Sequence, residues 1–189
     1  MKILKKNTLY AYTDGSSLPT PRTGGIGVVF IYLDDNEKEQ KIIIEEYGFK
    51  GATNNQMELY ACIEALKQAS THTFPLNYNL IEIRTDSMYV VNNFNSAKYY
   101  WPKQKWFTRD GTPVLNAELW QQLIKLVPKQ KCKVDIIWVK GHDKDENNNE
   151  ADKLAKKSAQ SAINPPLSVV TVRRKKSKEK TKIGSIIER

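Results

Sequence analysis

The sequence predicts an α/β fold in which a mixed β-sheet carries helices on its faces. Three observations predict it. The first fifty residues read as short apolar strands joined by polar connections. Near residue 54 the apolar spacing changes to that of a helix. Beyond that point strands alternate with helices, and strands joined by helical crossovers must lie parallel.

The elements follow in order. Leu9 to Thr13 is a strand running into Asp14, and "GSSLPTPRTGG" reads as a turn-rich loop. Ile26 to Tyr32 is a second strand. "DDNEKEQ" is a polar hairpin connection, and Lys41 to Tyr47 is a third strand. The chain therefore opens with an antiparallel meander. Asn54 to Ala69 places Met57, Leu59, Tyr60, Ala61, Ile63, Ala65 and Leu66 at helical spacing. Ile81 to Thr85 is a strand ending at Asp86, and Ser87 can start a helix through Tyr89, Val90, Val91 and Phe94. Leu115 to Val127 is a helix, Val134 to Val139 a strand, and Glu146 to Ala162 a last helix. Pro165-Pro166 closes the domain. The order is βββ-α-β-α-α-β-α, with no internal repeat.

Composition bounds the function. The chain has 189 residues, 40% hydrophobic and 27% charged, enough for one domain with a core and an extension. No run approaches the roughly 20 apolar residues of a membrane span. The start, Met1-Lys-Ile-Leu-Lys-Lys, lacks the apolar stretch of a secretion signal. Cys62 and Cys132 are too few for a disulfide framework or a zinc site, and read as reduced thiols in a cytosol-like compartment. The net charge of +9 is uneven: residues 167–189 carry eight Lys/Arg against two Asp/Glu, and the rest nets only +3. Such a tail suits nucleic acid or an acidic protein, or serves solubility alone.

Four acids occupy informative places. Asp14 and Asp86 each follow a strand; Glu58 and Asp152 lie in the first turns of helices. In open α/β sheets, ligands gather beyond the strand carboxyl ends, where helix N-termini also point. One such acid alone could simply favour a helix N-terminus. Four converging carboxylates instead need a strong cation, and hard oxygen ligands suit Mg²⁺ or Mn²⁺. Two such ions can activate water and stabilise a leaving oxygen. His142 follows a strand on the same side and could orient water or shuttle a proton. As a loop histidine it could equally be just solvated.

These residues resemble a known family. "YTDGSS", "ATNNQMELYACIEAL", "IRTDSMYVV" and "WVKGHDKDENNNEADKLA" are similar, in order, to the four signature blocks of type 1 ribonuclease H. The resemblance implies a ribonuclease H-like fold with a five-stranded mixed sheet, three strands antiparallel and two parallel. It also implies hydrolysis of the RNA strand of an RNA/DNA hybrid with two Mg²⁺ ions, Mn²⁺ serving as a substitute. Asp14, Glu58, Asp86 and Asp152 match the metal-binding acids, and His142 matches a histidine that positions water. Gly15, Ser16, Asn54, Asn55 and Asn148 match substrate-side positions, and Thr53 falls where a DNA phosphate binds.

"KYYWPKQKWFTRDG" resembles the family's basic protrusion. Lys98, Lys103 and Lys105 would meet phosphates, and Trp101 and Trp106 sugars or bases. The two tryptophans could instead pack the protrusion's own small core; Trp120 belongs to the main one. Departures from the family pattern are Thr20 in place of an RNA-contacting Asn, Met88 in place of a polar residue, and Asn149 in a loop without glycine.

The closing prolines bound a catalytic domain over residues 1–166, and the low-complexity basic run beyond them reads as a flexible extension over 167–189; the expected protein is a monomer in the cytoplasm, at the nucleoid, or in a nucleus. The Met1 start and the protrusion favour a free-standing protein over a reverse-transcriptase domain. The alternatives are a non-catalytic hybrid-binding module and another nuclease of the same fold.

Overall fold

The computed structural model describes residues 4–71, 74, 78–141 and 145–167. Strands β1 (Thr8–Pro19), β2 (Arg22–Leu33) and β3 (Glu39–Ile44) form the antiparallel half. A two-residue strand, β4 (Phe49–Lys50), pairs with the start of β2. Helix α1 (Asn54–Thr71) crosses to β5 (Leu80–Thr85), which lies parallel to β1. Then come α2 (Met88–Asn95), α3 (Ala117–Leu126), β6 (Lys133–Trp138) parallel to β5, and α4 (Glu146–Gln160). The main sheet runs β3-β2-β1-β5-β6. The fold class is as expected; β4 is the added strand.

One expectation fails in detail. The stretch expected as a turn-rich loop is mostly sheet: Gly15 to Leu18 pairs with Thr23 to Ile26, and only Thr20-Pro21 turns. Its glycines, and Gly27 just beyond it, make room for helices rather than for turns. A Cβ on Gly27 would lie 1.9 Å from the Ala151 carbonyl oxygen, and one on Gly25 would lie 2.1 Å from the Ala159 nitrogen. Small residues at Ala151, Ala155 and Ala159 complete this interface, so α4 lies directly on β2.

Alternation divides the core. Leu9, Ala11, Ile81 and Ile83 face the main cluster beneath α1, α2 and α3, with Leu59, Ile63, Leu66 and Trp120. Tyr10, Tyr12, Val29 and Ile31 face Ala151 on α4. There Arg84 stacks 4.2 Å from the Tyr10 ring and donates to the Tyr12 hydroxyl (2.6 Å) and to Glu82 (2.8 Å), so a buried cation is well partnered.

After α2 the chain makes one π-helical turn, Ser96–Tyr100, and the basic protrusion follows. Trp101 meets Trp120 edge-on at 5.7 Å and Trp106 at 6.3 Å. Both Trp101 and Trp106 pack on the main core. Lys103 and Lys105 are exposed, and Lys98 is half-buried with its ammonium 5.1 Å from the Tyr99 ring. The protrusion's tryptophans thus anchor it, while its lysines hold the outer surface.

The chain does not leave the fold at α4. The Asn164 N–H donates to the Gly48 carbonyl and its carbonyl accepts from Lys50 N–H, making a parallel bridge with Phe49. Leu167 packs on the cluster that holds Phe49 and Tyr60, beside the start of α1. The segment Val169 to Val172, a candidate edge strand on sequence, and the rest of the basic tail lie outside the described residues.

Candidate active site

Asp14 lies inside β1, not at its end, opposite Gly27. Yet the parallel partner β5 stops at Thr85, opposite Thr13. Asp14 and Asp86 are therefore each the first residue past the last parallel pair, at the carboxyl edge that α/β sheets use for ligands. Glu58 arrives from the second turn of α1. A capping box sets that helix: Thr53 N–H donates to Gln56 Oε1 (2.9 Å), and Gln56 N–H donates to Thr53 Oγ1 (3.4 Å). Thr53 is thus a helix cap as well as a candidate phosphate contact.

One carboxylate oxygen from each of Asp14, Glu58 and Asp86 lies within 4.8 Å of the other two. Fixed dipoles orient them. Gly15 N–H donates to Glu58 Oε2 (3.1 Å), and Asn54 Nδ2 donates to Glu58 Oε1 (3.3 Å). A Cβ at Gly15 would lie 2.2 Å from the Glu58 nitrogen, so β1 and α1 touch here only because that position is glycine. Trp138 Nε1 donates to the Asp86 carbonyl (3.2 Å), and a Cβ at Gly141 would lie 2.4 Å from Asp86 Oδ2.

Asn148, expected on the substrate side, is only 2% exposed, and its amide Nδ2 points at Asp86 Oδ2 (3.5 Å). Its Oδ1 has no hydrogen-bond partner among the described residues. Helix α4 starts at Glu146, so Asn148 falls on the same inward stripe as Ala151 and Ala155. Asn54 is exposed, and Asn55 and Ser16 are half-buried near this edge. His142 lies outside the described residues.

Asp152 stands apart from the three-carboxylate set. Its Oδ2 pairs with Lys156 Nζ at 2.7 Å, one turn along α4. Its charge nevertheless reaches Asp14. Lys156 is a residue the motifs do not single out, although an Asp-x-x-x-Lys spacing on a helix announces such a pair.

Burial and like charge outweigh the nearby Lys156 ammonium in the electrostatics of these carboxylates. Burial, then the charges of Asp86 and Asp152, push the Asp14 carboxyl up to about 8. Burial, then the charges of Asp14 and Asp86, push Glu58 up to about 9. Two buried acids holding protons at neutral pH, hard oxygen donors throughout, and an orphaned amide oxygen alongside fit a divalent cation.

A pH dependence follows. Both folded pKa values lie above the unfolded ones, so the stability from these groups is complete below about pH 4. It is lost as pH rises through about 8 and 9. A divalent ion replaces those protons, so Mg²⁺ should raise the melting temperature far more at pH 9 than at pH 5. Melting curves in Mg²⁺ and in EDTA check this; equal Mg²⁺ shifts at both pH values would contradict it.

Comparisons with known proteins fit this geometry. The sequence pattern of the RNase H family matches residues 6–160. Over 150 residues the chain is 38% identical to the ribonuclease H of Proteus mirabilis, covering 79% of this chain and 86% of that protein. The chain belongs to the RNase H family. The ribonuclease H of Treponema denticola is 37% identical over 157 residues, covering 79% of this chain and 95% of that protein.

Among solved structures, LC9-RNase H1, a type 1 RNase H with the type 2 active-site motif, shares the fold. Its TM-score is 0.69 at 24% identity, over 84% of this chain and 75% of that one. A foamy viral protease-reverse transcriptase in complex with RNA/DNA hybrid aligns with a TM-score of 0.63 at 21% identity, over 84% of this chain and 21% of that one. The region matched by the RNase H family holds all four acids and His142; the basic tail falls outside it.

Proposed function

We propose that this chain hydrolyses the RNA strand of RNA/DNA hybrids, leaving 5′-phosphate and 3′-hydroxyl ends. The observation that carries the reading is the cluster of Asp14, Glu58 and Asp86 at the sheet's carboxyl edge, in a chain of the RNase H family.

Asp14, Glu58 and Asp86 would hold one Mg²⁺, and Asp14 with Asp152 a second, with Mn²⁺ as a substitute. When bound, such ions supply Lewis acidity that activates water and stabilises the departing oxygen. The protein's part is preorganisation. Gly15 N–H and the Asn54 amide hold both oxygens of Glu58, and Asn148 holds Asp86. The carboxylates therefore meet their ligand without reorienting. His142, which matches the family's water-positioning histidine, would carry a proton near pH 7.

Recognition divides by strand. Asn54 and Asn55, at the start of α1, would read the RNA 2′-hydroxyl from the shallow minor groove. Ser16 extends that edge, while the exposed Thr53 would hold a phosphate of the DNA strand. Met88, exposed two residues past Asp86, would meet the same groove with an apolar surface. Lys98, Lys103 and Lys105 would neutralise phosphates of the DNA strand, held out by a protrusion that Trp101 and Trp106 anchor. The catalytic unit spans residues 1–166. It would act as a monomer, in the cytoplasm, at the nucleoid, or in a nucleus.

The test offers labelled RNA/DNA, RNA/RNA, DNA/DNA and single strands with Mg²⁺, Mn²⁺ or EDTA. Cutting confined to RNA in the hybrid and to metal-containing reactions is expected. Binding without cutting would make the chain a non-catalytic hybrid module.

The tail adds an electrostatic grip. Leu167 packs beside the start of α1, and the tail's first basic residue, Arg173, follows six positions later in the sequence. Deleting residues 168–189 should weaken hybrid binding and flatten its salt dependence, by roughly 0.9 in log–log slope for each phosphate that is no longer neutralised. Binding isotherms at several salt concentrations measure it; an unchanged slope would assign the tail to an acidic protein or to solubility.

A further inference from the structure

Lys156 lies where the fourth acid would meet its ligand. Its ammonium is 2.7 Å from Asp152 Oδ2, with the two side chains 52% and 20% exposed. Its charge also acts on Asp14, in the direction that keeps that carboxyl ionised. Asp14 and Asp152 act back on the ammonium. The carboxylates that cluster are Asp14, Glu58 and Asp86, while Asp152 is turned to the lysine.

We infer that Lys156 is a tethered counter-ion that competes with a divalent cation for the Asp14–Asp152 end of the pocket, and swings out when metal loads. The inference rests on the metal reading proposed above. Its physical basis is exchange: a single positive charge on a four-carbon stem balances Asp152 in the metal-free protein, and a doubly charged ion sharing the Asp14 oxygens displaces it. The stem is half-exposed, so it can rotate into solvent without opening the core. Lys156 thus sets metal affinity as a positioning residue and takes no part in bond breaking.

Calorimetric titration of Mg²⁺ into the full chain at low ionic strength tests this without relying on cleavage. Displacing a partly exposed ion pair weakens binding by roughly two- to fivefold, so Lys156→Gln should bind Mg²⁺ tighter by that factor. Lys156→Arg keeps the charge and should stay near the wild-type affinity. Circular dichroism melts confirm that each variant is folded. Equal or weaker Mg²⁺ binding by a folded Lys156→Gln, with a binding-competent wild type, overturns the inference alone. A wild type that takes up no Mg²⁺ overturns both the inference and the metal reading.

Discussion

Asp14→Asn should abolish RNA cleavage while leaving hybrid binding intact. Asp14 belongs to the three-carboxylate cluster and is coupled to Asp152, so it belongs to both halves of the proposed metal pocket. The amide is almost isosteric but uncharged, and it cannot bridge two cations. Loss of one preorganised charge-stabilising group costs on the order of 10³-fold in turnover. Here both ions depend on it, so the loss should be at least that large. The same change should raise metal-free stability at pH 9, because it deletes one of the buried charges that burial and Asp86 oppose. Single-turnover cleavage and metal-free melting curves read the two effects. Near-normal turnover in Mg²⁺ would show that the ligand assignment is wrong.

Gly27→Ala is expected to be the most damaging change outside the carboxylates. The new Cβ would lie 1.9 Å from the Ala151 carbonyl oxygen and 2.8 Å from its carbon, both backbone atoms that no rotamer can move. Helix α4 must then lift from β2. Overpacking of this kind costs about 3 kcal/mol or more, which for a domain of this size lowers the melting temperature by roughly 10 °C. Lifting α4 also draws Asp152 and Asn148 away from Asp14 and Asp86, so activity should fall beyond what unfolding explains. Denaturant titration together with kcat under folding conditions separates the two. A variant as stable and active as the wild type would mean that α4 does not need its close seat on β2.

The site is more legible in the sequence than the details of the fold that builds it. The acids stand out because strand ends and helix starts are visible as changes of period, and because the four blocks occur in order. The position of Asp14 within a long strand is hidden. Gly, Ser, Pro and Thr usually punctuate turns, but here the glycines serve close helix packing, a tertiary demand that local composition does not reveal. The two-residue β4 and the bridge at Asn164 are too short to leave a pattern.

Trp101 and Trp106 show another limit. An aromatic residue among lysines suits both a nucleic-acid face and a small core; Trp101 packs against Trp120 while staying partly exposed, an arrangement that the lysine run alone does not reveal. Asn148 sits in an Asn run, which suggests a polar surface facing substrate. Its spacing to Ala151 and Ala155 is the sign within the sequence that it points inward.

The proposed chemistry requires Asp14, Glu58 and Asp86 to hold a divalent metal jointly. Anomalous scattering from crystals soaked in Mn²⁺ locates such an ion without reference to activity. A peak within coordination distance of all three carboxylates is the predicted result. Fully occupied Mn²⁺ elsewhere on the protein, with none among those oxygens, would contradict it.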